Sequence, residues 1–162
     1  MIETHFIENE DIYGKLNEIL SEKLCSFKIL RTENGKPFIE GAPLFFCISH
    51  SFDKAVIAIS DSPVGVDMEV ITERKYSAIL SRMCEKEAAE ITNLKQFLKH
   101  WVVREAYIKM LGATLAEKLN KLSFYGGILY DDGKPVDCEI THGERDGCVY
   151  CICVDNSRKV LV

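Results

Sequence analysis

The sequence predicts an α+β fold, and three observations carry that prediction. Short apolar runs that read as strands and 3.6-period stripes that read as helices fall in separate blocks instead of alternating. The composition is that of a globular chain: 47% apolar, 28% charged, with 10 glycines and 4 prolines. The 162 residues show no short-period repeat and no linker. One domain over residues 1–162 is therefore expected, burying about 70% of the unfolded surface.

Along the chain, residues 11–27 carry Ile12, Leu16, Ile19, Leu20 and Leu24 at the spacing of an amphipathic helix. Asn34-Gly35 is a turn signal, followed directly by Lys36-Pro37. Residues 44–48 (LFFCI) and 54–60 (KAVIAIS) read as strands, separated by Ser49-His50-Ser51-Phe52-Asp53. After a turn at Asp61-Ser62-Pro63, residues 64–70 resume as a strand. Residues 76–94 read as two short helices with Glu85, Glu87 and Glu90 on exposed faces. A longer helix over 96–111 is closed by Gly112 at the place favoured for a left-handed residue. Strands follow over 121–130 and, after a turn at Asp131-Asp132-Gly133, over 136–140, 148–154 and 159–162.

Twenty-five acidic against 20 basic residues give a formal charge of −5, which argues against sequence-independent nucleic-acid binding, since phosphate neutralisation needs excess Lys and Arg. No stretch approaches the ~18 apolar residues of a membrane helix. The start Met1-Ile2-Glu3-Thr4-His5 carries acid where a secretory signal carries base, so the chain reads as cytoplasmic. Seven irregularly spaced cysteines agree with a reducing compartment. Cys148, Cys151 and Cys153 have no second similarly spaced pair to complete a zinc site, and read as part of a buried strand.

Three carboxylates draw attention. On a strand, Asp67 and Glu69 point to one face while Val66, Met68 and Val70 point to the other, and their Cβ atoms stand roughly 7 Å apart. That separation suits one hard cation such as Mg2+, although a solvated acidic strand face gives the same pattern. Glu105 lies near the line of Trp101, Ile108 and Leu98 on its helix, an apolar stripe where glutamate is uncommon without a partner or a metal. Lys109 follows one turn later, the spacing of an ordinary surface pair. Ser49, His50 and Asp53 lie too close in sequence for a hydrolase triad.

Together these segments resemble the 4′-phosphopantetheinyl transferase superfamily, Sfp type. Gly35-Lys36-Pro37-Phe38 is similar to its G-K/R-P-Y/F element, and Phe46-Cys47-Ile48-Ser49-His50-Ser51 to F-N-I-S-H-S. Val64-Gly65-Val66-Asp67-Met68-Glu69 is similar to G-I/V-D-I/M-E, and residues Trp101 to Lys109 to W-x-x-K-E-A/S-x-x-K. Each element is short; their order and spacing across residues 35–112 carry the resemblance.

The resemblance implies a fold of two similar halves in pseudo-twofold arrangement, here a shortened first half (1–63) and a second half (64–162). It implies transfer of the 4′-phosphopantetheine group of coenzyme A to a serine of an apo acyl or peptidyl carrier protein, releasing adenosine 3′,5′-bisphosphate. Such carriers serve fatty-acid, polyketide and non-ribosomal peptide synthesis. By the same resemblance Asp67, Glu69 and Glu105 hold Mg2+, and Glu105, directly or through a bound water, takes the serine proton. Lys109 and Arg104 hold charge near the coenzyme, Ser49 and His50 contact its phosphate, and Lys36-Pro37 frame the adenine. A carrier-docking patch is expected around Arg74-Lys75, and the assembly is expected to be a monomer or a homodimer.

Several positions depart from the pattern. Only 34 residues precede Gly35, which leaves out the basic segment that grips the 3′-phosphate in longer relatives; Lys15, Lys23, Lys28 and Arg31 are its available substitutes. Cys47 replaces the usual asparagine and Arg104 the usual lysine. The rival readings are a non-catalytic relative that binds coenzyme A or a carrier protein, and a Mg2+-dependent phosphotransfer enzyme on another fold.

Overall fold

The computed structural model describes residues 1–8 and 11–156. The chain runs β1 (Ile2–Glu8), α1 (Ile12–Lys23), β2 (Ile29–Arg31), β3 (Pro37–Ile39), β4 (Phe45–Ser51), β5 (Lys54–Ser60) and β6 (Val64–Val70). There follow α2 (Ser77–Leu80), α3 (Glu85–Glu90), α4 (Leu94–Leu111), α5 (Leu115–Lys118), β7 (Leu122–Tyr125), β8 (Ile128–Asp131), β9 (Lys134–Pro135), β10 (Cys138–Arg145) and β11 (Cys148–Asp155). Two three-stranded antiparallel sheets organise the molecule, β1-β5-β4 and β10-β11-β6. The smaller sheets β2-β3 and β7-β8-β9 flank them.

The period-2 alternation of the strands sets the layers. On β5, Ala55, Ile57 and Ile59 pack with Leu16, Ile19 and Leu20 of α1, whereas Val56 and Ala58 face the other way. There they meet Val64, Val66 and Met68 of β6 and Cys148 and Ile152 of β11. The alternate residues of β11, Val149, Cys151 and Cys153, pack under Leu98, Val102, Val103 and Ala106 of α4. The order is therefore helix, sheet, sheet, helix, with one apolar cluster shared between the sheets.

Helix ends follow local chemistry. Asp11 caps α1 by accepting from the Tyr13 N–H, and Asn93 caps α4 by accepting from the Gln96 N–H. Gly112 ends α4 at φ 68°, a conformation that favours glycine. No helix among the described residues is long and apolar enough to cross a membrane.

The structure corrects several expectations. The run 121–130 is a hairpin, because Gly126 and Gly127 both take positive φ (59° and 73°) and turn β7 into β8. The strand expected over 136–140 starts at Cys138 and continues to Arg145. The helix expected to reach residue 27 ends at Lys23, and β4 extends through Ser51. Strands β1, β2, β3 and β9 and helix α5 were not anticipated. Glu87 is fully buried, not exposed: it receives hydrogen bonds from Arg104, whose Nε lies 3.0 Å from Oε1. The strand expected over 159–162 lies outside the described residues.

Candidate active site

Strand β6 turns Gly65, Asp67 and Glu69 toward α4, across from Cys153, Cys151 and Val149 of β11. Gly65 permits the approach: a Cβ there would fall 1.9 Å from the Ala106 carbonyl oxygen and 2.4 Å from the Met110 nitrogen. The strand thus lies directly against the turn of α4 that carries Glu105 and Lys109.

Lys109 Nζ donates to Asp67 Oδ1 at 2.7 Å and to Ser49 Oγ at 3.0 Å. The one-turn spacing had suggested a partner on its own helix; the ammonium reaches across to the strand instead. Ser49 Oγ donates to Asp67 Oδ1 at 2.8 Å and accepts the Met68 N–H at 3.2 Å. One register step along, Ser51 Oγ donates to Glu69 Oε2 at 3.2 Å and accepts the Val70 N–H at 3.1 Å. Arg74 closes that end, its Nη1 2.9 Å from Glu69 Oε2 and its Nη2 3.0 Å from the Val70 carbonyl. Of the pair expected to meet a carrier protein, Arg74 is turned inward onto Glu69 and Lys75 is exposed.

The electrostatics follow from this crowding. Burial pushes the Asp67 carboxyl above its ordinary value despite Lys109 and Ser49. Burial alone would lower Lys109, but its contacts with Asp67 hold it above its ordinary value. Glu105 is pushed up to about 7, first by burial and then by the Asp67 charge, against the pull of Lys109 and with a further push from Glu69. Three carboxylates, Asp67, Glu69 and Glu105, thus share the site with two basic side chains, Lys109 and Arg74.

Among the described residues, no group of three or more His, Cys, Asp or Glu side chains is arranged as it stands to hold a metal ion. Asp67 is paired with Lys109 and Glu69 with Arg74. The donors nonetheless suit a hard divalent cation. They are all carboxylate oxygens, and Asp67 Oδ2 is buried with no hydrogen-bond partner.

Beside this cluster opens a cleft of about 320 Å³, whose walls include Tyr13, Arg31, Lys36, Pro37, His50 and Lys109. His50 is exposed between the inward-facing Ser49 and Ser51, as strand alternation requires. Lys36 is engaged, donating to the Met110 carbonyl at 2.8 Å at the end of α4; burial lowers its ammonium. Of the four basic substitutes, Lys15 pairs with Glu18, Lys23 with Glu3 and Lys28 with Glu40, while Arg31 lines the cleft. A larger depression of about 440 Å³ near Lys118 and Asp131 contains none of the expected site residues.

The fold therefore brings Ser49, Asp67, Glu69, Glu105 and Lys109 together beside Lys36, Pro37 and His50. It does not bring Arg104. That guanidinium is 1% exposed and spent on Glu87 and the Leu119 carbonyl, so it has no route to the cleft. Sequence reasoning missed Ser51, whose signal was the matching spacing of Ser-x-Ser on β4 and Asp-x-Glu on β6.

The family model described as the 4′-phosphopantetheinyl transferase superfamily matches residues 63–146. The chain is 36% identical over 120 residues to the 4′-phosphopantetheinyl transferase psf-1 of Bacillus pumilus, covering 65% of this chain and 48% of that protein. It is 33% identical over 96 residues to the 4′-phosphopantetheinyl transferase gsp of Aneurinibacillus migulanus, covering 56% and 40%. Against the 4′-phosphopantetheinyl transferase of Bacillus subtilis the figures are 29% over 139 residues, 80% and 59%. The chain spans about half the length of the curated relatives it matches.

Proposed function

This chain belongs to the 4′-phosphopantetheinyl transferase superfamily, and from that premise we propose that it transfers 4′-phosphopantetheine from coenzyme A to a serine of an apo acyl or peptidyl carrier protein. Adenosine 3′,5′-bisphosphate is the other product. The observation that carries this reading is the carboxylate cluster of Asp67, Glu69 and Glu105, with a buried unpartnered Asp67 oxygen, beside the cleft that Lys36, Pro37 and His50 wall.

Asp67, Glu69 and Glu105 are the residues that would hold Mg2+. A divalent cation there would supply positive charge against the pyrophosphate and phosphoryl oxygens. Lys109 adds a fixed positive charge on the same side. Glu105, half-buried beside Asp67 and Lys109, is placed to accept the proton of the incoming serine hydroxyl directly or, where it also holds the cation, through a bound water. His50 and Arg31 face the cleft where the coenzyme's phosphate belongs, and Pro37 and the Lys36 backbone offer a frame for its adenine. The two sheets, each backed by a long helix, support a two-half pseudo-twofold reading divided at Val64, within one domain. The seven cysteines are free, which suits a cytoplasmic setting.

Intact-protein mass of an apo acyl carrier protein, incubated with this protein, coenzyme A and Mg2+, tests the reading. A phosphopantetheine mass gain is expected, abolished by EDTA and slowed about 10²- to 10⁴-fold in Glu105→Gln, the range for losing a positioned base. Coenzyme A binding without mass gain on any of several carriers would replace transfer by the non-catalytic reading.

A further inference from the structure

Strand β6 is the edge of its sheet and β4 the edge of the other, so their facing backbone groups need partners other than a ladder. Two serines provide them. Ser49 Oγ accepts the Met68 N–H and donates to Asp67, and Ser51 Oγ accepts the Val70 N–H and donates to Glu69. The two units share one design and the same two-residue step: a hydroxyl on β4 takes the edge amide that follows a carboxylate residue and holds that carboxylate.

A serine hydroxyl has one proton to give and two lone pairs. Ser49 gives its proton to Asp67 and fills both lone pairs with Met68 N–H and Lys109 Nζ. It is 4% exposed. The hydrogen-bonding capacity of its hydroxyl is taken up within the protein. Ser51 is buried as well, and its proton goes to Glu69 in competition with the Arg74 guanidinium. His50 between them is the residue of this segment that faces the cleft.

We propose that Ser49 and Ser51 are positioning residues that orient Asp67 and Glu69 as joint ligands for a divalent cation. The inference rests on the reading above and deepens it. Without the Ser51 hydroxyl, Glu69 keeps Arg74 as its hydrogen-bonding partner and swings toward it. Without the Ser49 hydroxyl, Asp67 is held by Lys109 alone.

The test measures cation binding instead of turnover: Mn2+ added to the protein, with free Mn2+ read by electron paramagnetic resonance. Ser51→Ala is expected to weaken Mn2+ binding about 10-fold or more, the scale on which residues that orient metal ligands act. Ser51→Thr, which keeps the hydroxyl, should restore it. Ser49→Ala should act in the same direction, and circular dichroism checks that each variant is folded. If Ser49→Ala fails to fold, the Ser51 pair decides alone. Wild-type Mn2+ affinity in a folded Ser51→Ala variant overturns the inference and leaves the transferase reading standing. An absence of Mn2+ binding by the wild type, with and without coenzyme A, overturns the inference, and the carrier mass measurement then decides the transferase reading by itself.

Discussion

At the scale of single residues, Gly65 shows how the chain spends a side chain to gain a contact. Its neighbours at the missing Cβ position are the Ala106 carbonyl oxygen and the Met110 nitrogen, both helix backbone, which cannot rotate aside. Gly65→Ala therefore pushes α4 off β6. The expected loss of stability is about 1–3 kcal/mol or more, the usual cost of overpacking, read by thermal denaturation. Glu105 and Lys109 sit on the displaced turn, and an error of about 1 Å in a reacting group costs about 100-fold in rate. Carrier modification should thus fall more steeply than the melting temperature suggests. A Gly65→Ala protein with wild-type rate would show that the strand–helix contact does not position the site.

At the scale of elements, the buried pair of Glu87 on α3 and Arg104 on α4 ties the short helix to the long one. Arg104 Nη1 also reaches the Leu119 carbonyl beyond α5, and His100 Nδ1 lies 3.3 Å from Glu87. Burial alone would raise the Glu87 carboxyl, but the bonds from His100 and Arg104 outweigh it and hold it below 4.5. An acid with a depressed folded pKa stabilises the fold above its unfolded value and loses that contribution as pH falls through the folded one. Melting temperatures of wild type and Glu87→Gln should therefore differ at pH 7 and converge as pH falls below about 4.5. At neutral pH either single change to Met, Glu87→Met or Arg104→Met, should cost about 3–5 kcal/mol, whereas the double change should recover most of it. Equal losses in singles and double would refute the pairing. This element also marks the limit of what the sequence made legible. Strand and helix periods placed Asp67, Glu69 and Glu105 on telling faces, and the family motif singled out Lys109. Glu87 could not, because its burial depends on side chains 13 and 17 residues away. The β7–β8 hairpin was hidden inside an apolar run, although Gly126-Gly127 was there to announce the turn. The role of Ser51 depended on which sheet edges meet, which no local pattern states.

At the scale of the molecule, the question is whether the two sheets form one cooperative unit. They belong to different ladders, so their union rests on side chains. The contacts that join them include the shared apolar cluster of Val56, Ala58, Val66, Met68 and Ile152, the two serine bridges, the Lys54 ammonium on the Asp146 carbonyl, and Lys36, which ties the loop before β3 to the end of α4. The serine bridges and Lys36 are also walls and supports of the candidate site, so the first sheet cannot separate without dismantling it. The prediction is a single unfolding transition. The sole tryptophan, Trp101, lies on α4, so its fluorescence reports the second sheet and its helix. Far-UV circular dichroism reports both layers. Coincident denaturant curves from the two probes are expected, because coincidence is the mark of two-state unfolding. Ile152→Ala, which opens a cavity in the shared cluster, should shift both curves together by about 2–5 kcal/mol. A dichroism transition that precedes the fluorescence transition would mean that the first layer melts on its own. The serine bridges would then be too weak to hold the carboxylates once that layer loosens, and cation binding would be lost at the earlier of the two midpoints.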